Sequence, residues 1–225
     1  MRVTGVIGIS SGEQARYSLF YDELTQVERP EGTVVIHSTA PLVNECRNKI
    51  AEEALTQGAE WVWYVDDDHS FHSDTLMRLI HRNVDIVSGL YISRTSPFKP
   101  IFYEEENEDW VIMKSSLTSQ DVGLKPVLAT GAGCLLVRTR VLKAMEPPYF
   151  RFTQNAKGGI VGEDIEFCSR ARAHGFSIYC DMDAPIGHKT TVTLYPHQKS
   201  VGQWSLRMID LGGKTIADGP MAGAV

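Results

Sequence analysis

Apolar and polar positions along the first ninety residues predict strands and helices in turn. VTGVIGI (3 to 9) is a short β-branched run that ends in the turn-rich SSG, and TVVIH (33 to 37) is a second such run. In PLVNECRNKIAEEAL, the apolar residues Val43, Cys46, Ile50 and Ala54 recur at helical spacing, and Gly58 stops the helix. WVWYV (61 to 65) reads as a third strand. SDTLMRLIHR has an N-cap at Ser73 and places Leu76, Leu79 and Ile80 on one helical face. VDIVSGLY (84 to 91) is a fourth strand. Strands separated by helices predict an α/β fold with a mostly parallel, mixed central sheet covered on both sides.

The pattern changes after residue 91. Residues 92 to 130 are irregular, with SPFKP, the acidic EEENED and short strand signals around Ile101 and Val111. GAGCLLVRT (131 to 139) is a further strand. The glycine-rich KGGIVGED (157 to 164) leads into a helix, EDIEFCSRARAHG, that Gly175 ends, and FSIYCDMD is read as the last strand. The tail from Lys189 carries weak signals and several glycines and is expected to be partly mobile. There is no repeat and no low-complexity linker, so the expectation is one domain over 1–225. Its parts are about 1–91, about 92–190 and an extension over 191–225.

Composition narrows the classes. A hydrophobic share of 43% and a charged share of 22% are ordinary for a globular chain. No apolar run approaches the roughly 18–20 residues of a membrane span, and the N-terminus lacks a signal-peptide layout. A net charge of −6 without a lysine or arginine tract argues against a broad nucleic-acid footprint. Cys46, Cys134, Cys168 and Cys180 form no CxxC pair and sit in apolar surroundings. They are read as reduced core residues of a cytoplasmic protein.

Candidate chemistry concentrates at WVWYVDDDHS, where a buried-looking strand runs into Asp66, Asp67 and Asp68. In an open parallel sheet, ligands bind beyond the carboxyl ends of the strands. If strand geometry persists, Asp66 and Asp68 point one way and Asp67 the other. Two convergent carboxylates repel each other, and a divalent cation between them removes that cost. Mg²⁺ or Mn²⁺ prefers such oxygen ligands, and Mg²⁺ is commonly shared with substrate phosphates. The bland alternative is a solvated acidic turn capping the next helix.

An apolar strand followed by D-x-D, a polar residue and a helix resembles the DXD signature of GT-A-fold glycosyltransferases, especially the family 2-like enzymes. VIGISSG resembles their first nucleotide-binding strand. CRNKIAEEALTQGAEWVWYVDDD resembles the helix with an Arg-Asn pair that precedes the DXD strand. GEDIEFCSRARAHGFSIYCDMDAPIGHKT resembles their [GT]-E-D segment with its helix, strand and late histidine. The similarity covers about residues 3 to 190.

The resemblance implies a single GT-A-type domain, a nucleotide-sugar-binding half followed by an acceptor half. It also implies a role for each motif residue. Asp68 is a direct metal ligand, Asp66 a ligand or ribose contact, and Asp67 a nucleotide contact. His188 completes the metal site, with His197 as fallback and His69 and His72 less favoured. Asp164 is the general base that takes the acceptor's proton, and Glu163 binds the acceptor or orients the loop. Arg47 is a phosphate or nucleobase contact. Arg94 and Lys99 neutralise phosphate or line the acceptor site, and Ser10 and Ser11 lie where the nucleoside sits. TGAGC (130 to 134) leaves room for the donor sugar or, equally well, serves tight strand packing, and KGGIVG is a candidate lid that excludes water.

The activity implied is metal-dependent transfer of a sugar from a nucleoside diphosphate sugar, a UDP-sugar first, with Mn²⁺ or Mg²⁺ as cofactor; a base after G-E-D favours inversion, with retention as the alternative. The acceptor is left open among a saccharide, a protein side chain and a modified DNA base. Two alternatives remain: a haloacid-dehalogenase-type phosphohydrolase using Asp66 and Asp68, or a non-catalytic sugar-nucleotide-binding protein.

Overall fold

All seven residues of β1 (Gly5–Ser11) are buried, because the strand is flanked on both edges and covered on both faces. The computed structural model describes residues 2–12, 17–107, 110–113, 117–200 and 203–220. After β1 come α1 (Ser18–Thr25), β2 (Thr33–Thr39), α2 (Val43–Thr56), β3 (Trp61–Asp66), β4 (His69–Ser70), α3 (Thr75–His81) and β5 (Ile86–Leu90). The second half adds β6 (Phe102–Asn107), β7 (Trp110–Met113), β8 (Leu124–Val127), β9 (Ala129–Thr130), β10 (Cys134–Arg138) and α4 (Thr139–Lys143). The chain continues through β11 (Thr153–Gln154), β12 (Ile160–Val161), α5 (Glu163–Ala173), β13 (Ile178–Pro185) and β14 (Gly187–His188). It ends in β15 (Thr193–Ser200), β16 (Gln203–Ile209) and β17 (Thr215–Pro220).

The central sheet has seven strands in the order β2-β1-β3-β10-β5-β13-β8. β10 runs antiparallel to both its neighbours and β8 antiparallel to β13, while the other pairs are parallel. The fold is therefore α/β with a mostly parallel, mixed sheet, as the alternation of elements predicts. The sheet also crosses the change in pattern at residue 91, since β10, inserted between β3 and β5, comes from beyond it.

Side-chain alternation splits the core into two layers. Val6, Val62, Tyr64 and Leu135 face one side, with Ile50 and Ala54 of α2 and Phe167 of α5. Ile7, Trp63, Val65 and Leu136 face the other, with Phe20 of α1 and Leu76 and Leu79 of α3. Gly8 brings α2 close: a β-carbon there would sit 2.3 Å from Ile50 Cγ2. Gly58 (φ +71°) and Gly175 (φ +86°) end α2 and α5 in the left-handed conformation that favours glycine. All four cysteines are buried and free of disulfides.

Several expectations change. α3 starts at Thr75 after Asp74, not at a Ser73 cap; the Ser73 hydroxyl donates to Glu28 instead, at 3.3 Å. The helices α1 and α4 are additions to the sequence reading. The strand expected over 131–139 begins at Cys134, which leaves Ala132 and Gly133 to border the cleft described below. The tail is not loose over its described part but forms an antiparallel sheet, β15-β16-β17. Most of β15 is solvent-exposed, so apolar and polar residues need not alternate there and the sequence carries little strand signal. Residues 108 and 109 of the acidic run, and 221–225, lie outside the described residues.

Candidate active site

The chain leaves the sheet at Asp66, turns through Asp67 and Asp68, and re-enters a short strand at His69. That strand, β4, pairs antiparallel with β14 in a register that sets His69 opposite His188. The two imidazoles stack at 4.5 Å with their planes 18° apart. Tyr91 meets both edge-on, at 4.8 Å from His69 and 5.8 Å from His188. Lys189 fastens the pair: its amide donates to Asp68 O at 2.7 Å and its ammonium to His69 O at 2.6 Å.

Asp68, His69 and His188 offer ligand atoms that all lie within 4.8 Å of one another. His188 Nδ1 is 2.7 Å from the carbonyl of Ile92, which can only accept, so the proton belongs on Nδ1. Nε2 then turns a lone pair toward Asp68 Oδ2, 3.6 Å away. His69 Nδ1 lies 3.2 Å from Asp68 Oδ1, yet neither of its buried ring nitrogens makes a well-formed hydrogen bond. Lone pairs facing a carboxylate across these distances call for a proton or a cation between them. One carboxylate and two imidazoles make a donor set that fits a divalent transition ion. Burial alone would raise the Asp68 carboxyl; protons on the two imidazoles would outweigh it and hold the group well below the usual range, and a cation between them would act in the same sense. Arg94 adds a charge by donating to Asp68 Oδ2 at 2.7 Å.

Asp66 is engaged elsewhere. Strand geometry does not persist past it, so Asp66 and Asp68 do not converge as expected if β3 ran on. Arg47 Nη2 lies 3.0 and 2.9 Å from the two Asp66 oxygens, and Nη1 pairs with Glu163. Arg47 is only 3% exposed, so it ties two carboxylates together inside the protein while bordering the cleft. Burial opposes its charge, but Asp66, Glu163 and Asp164 together keep the guanidinium above its ordinary value. The neighbouring Asn48 fixes this helix by exchanging two hydrogen bonds with the backbone of Phe150, at 2.8 and 2.9 Å.

Glu163 and Asp164 open α5, as the sequence predicts. Asp164 Oδ1 accepts from the Ile165 amide at 2.8 Å. Burial first, then the charge of Glu163, push the Asp164 carboxyl up to about 6, against the pull of Arg47. A carboxyl raised this far is still mostly deprotonated at pH 7, yet it takes up a proton more readily than an ordinary carboxylate.

One cleft of about 420 Å³ gathers Ser10, Ser11, Arg47, Asp66, Asp67, Asp68, Arg94, Glu163, Asp164 and His188. His69 and Tyr91 line it too, and sequence reasoning respectively underweighted and missed them. The adjacency of His69 to the aspartate run was the available signal. His197 lies on β15 and His72 just before α3, and neither they nor Lys99 line the cleft. Gly133 belongs to close packing: a β-carbon there would sit 2.4 Å from His69 Cε1 and 3.1 Å from Asp66 Oδ2. KGGIVG forms the tip and second strand of the β11–β12 hairpin, with Asn155 Oδ1 accepting from the amides of Lys157 and Gly159 at 3.1 and 2.8 Å.

A197 from STIV has a similar fold (TM-score 0.55, 16% identity), with 99% of this chain and 98% of that one covered. GalNAc-T7 with UDP, GalNAc and Mn²⁺ is also similar (TM-score 0.53, 11% identity), over 83% of this chain and 44% of that one. So is S. aureus TarS 1-349 in complex with UDP-GlcNAc (TM-score 0.50, 14% identity), over 82% and 57% respectively. The chain thus spans about half the length of the latter two. No curated protein sequence gave a match. No helix among the described residues is long and apolar enough to cross a membrane. The family pattern described as Glycosyltransferase like family 2 matches residues 13–205, most of the sequence, and the chain belongs to that family.

Proposed function

We propose that this protein is a metal-dependent glycosyltransferase that moves a sugar from a UDP-sugar to an acceptor hydroxyl with inversion. The carrying observation is that one cleft holds the Asp68, His69 and His188 group together with Asp164, whose carboxyl has a raised proton affinity. The UDP and UDP-sugar complexes of similarly folded proteins support the choice of donor.

Asp68, His69 and His188 would hold the ion. A carboxylate with two imidazoles suits Mn²⁺ better than Mg²⁺, which favours all-oxygen shells. Bound there, the ion would neutralise charge on the departing nucleoside diphosphate. Arg94 adds positive charge at the same end of the cleft. The acceptor oxygen attacks the anomeric carbon, its proton passes to Asp164, and the bond from that carbon to the diphosphate oxygen breaks with its electron pair. Arg47 holds Glu163 and Asp66 together at the wall of the cleft. The phosphohydrolase alternative requires Asp66 as nucleophile, and both its oxygens face Arg47; it is not proposed.

Asp164→Asn tests the reading. It should leave uptake of Mn²⁺ and UDP within about twofold of the parent and lower sugar transfer by roughly 10²–10⁴. Full transfer by that variant removes the base assignment. A parent chain that binds UDP-sugars but neither transfers nor hydrolyses them favours the non-catalytic binding protein.

A further inference from the structure

The loop between β5 and β6 carries two groups of the cleft. Its Ile92 carbonyl accepts from His188 Nδ1 at 2.7 Å, and its Arg94 donates to Asp68 at 2.7 Å. The loop closes on itself through Ser93 N to Lys99 O (2.8 Å), Lys99 N to Ser93 Oγ (3.0 Å) and Phe98 N to Thr95 O (2.9 Å). Phe98 sits at φ +50°, a left-handed conformation that disfavours a bulky side chain, so an outside anchor has strain to hold.

That anchor comes from the tail. Asp210, 4% exposed, follows β16 at the turn into β17. Its Oδ2 accepts from the Ser96 amide at 2.8 Å. Its Oδ1 accepts from the Lys214 amide at 2.9 Å, and its own backbone closes the turn with Lys214 and Gly213. The carboxylate is thus held rigidly in its own hairpin and grips the tip of a loop from elsewhere. Asp210 lies beyond the family-matched stretch 13–205, so the contact is an addition to the matched region.

We propose that Asp210 is a positioning residue: through the Ser96 amide it fixes the loop that presents Arg94 and the Ile92 carbonyl to the metal-binding end of the cleft. The functional half of this inference rests on the donor-site reading above; the structural half does not. Arg94 has a long, partly exposed side chain, so its usefulness depends on how firmly its backbone is held.

The test uses the full chain titrated with UDP in the presence of Mn²⁺, together with amide hydrogen exchange. Asp210→Ala should weaken UDP uptake at least fivefold and speed exchange in residues 92–100, while the central strands keep their protection. Combined with Arg94→Ala, it should cost clearly less than the product of the two separate losses, because part of the Asp210 effect runs through Arg94, whereas a role independent of the loop would multiply them. Asp210→Asn keeps an acceptor oxygen and should weaken binding less than Asp210→Ala. Parent-like affinity in Asp210→Ala, unchanged exchange in the loop, multiplicative losses or an equal loss in Asp210→Asn would each overturn the proposal. A parent chain that takes up no UDP with Mn²⁺ would instead defeat the transferase reading, and exchange would then decide the tie between Asp210 and the loop.

Discussion

Arg47 Nη2 lies 2.9 and 3.0 Å from the two oxygens of Asp66, joining α2 to the end of the strand that leads into the aspartate turn. The same guanidinium holds Glu163, so the first aspartate of the run and the start of α5 share one buried cation. Removing a partner from such a group strands the remaining charges. Arg47→Met should therefore cost about 3 kcal/mol, a fall in Tm of roughly 6–12 °C for a domain of this size. Thermal unfolding measures it, and a loss under 1 °C would contradict the structural role given to this arginine.

The raised carboxyl of Asp164 sets a pH dependence. If Asp164 is the base proposed above, it works only when deprotonated, so kcat/KM for transfer should fall as pH drops below about 6. The charge of Glu163 is one cause of that raised value. Glu163→Gln should accordingly shift the acid limb to lower pH. A pH–rate profile checks both, and a limb unmoved in Glu163→Gln would show that another group is titrating.

The metal assignment predicts a pattern across four histidine and aspartate positions. Asp68→Asn, His69→Ala and His188→Ala should each weaken Mn²⁺ uptake at least tenfold, by calorimetry or by the spin signal of free Mn²⁺. His197→Ala, on β15 and away from the cleft, should match the parent. If His197→Ala loses Mn²⁺ and His69→Ala does not, the stacked pair has been misassigned.

Gly133→Ala probes the same centre sterically. The added methyl would collide with His69 Cε1 and crowd Asp66 Oδ2. Displacement of the ring should cost about 1–3 kcal/mol of stability and reduce Mn²⁺ uptake with it. Retention of full Mn²⁺ affinity would mean that His69 can move aside without leaving the ion, which the packing around Tyr91 argues against.

Much of the fold is legible in the sequence because its signals are local. Val6 and Ile7, or Trp63 and Tyr64, alternate between the two core layers, and α2 repeats its buried residues every turn. Such patterns follow from which neighbours within a few residues must leave water. The family resemblance, not a local pattern, is what leads Asp66 to Asp68, Glu163, Asp164 and His188 to be expected in one site, and all of them line one cleft. The tail sheet escapes detection because its strands mainly cover each other, with little apolar surface to hide.

The sequence alone determined that this chain would build an α/β sheet and bring acidic and histidine residues to the ends of its strands. Tertiary structure alone decided how those charges are shared. Arg47 meets Glu163 across 116 positions, and His69 joins His188 only because β4 pairs with β14. Periodicity reports whether a side chain is buried. What neutralises a buried carboxylate depends on which distant segment packs against it, and no run of neighbouring residues encodes that.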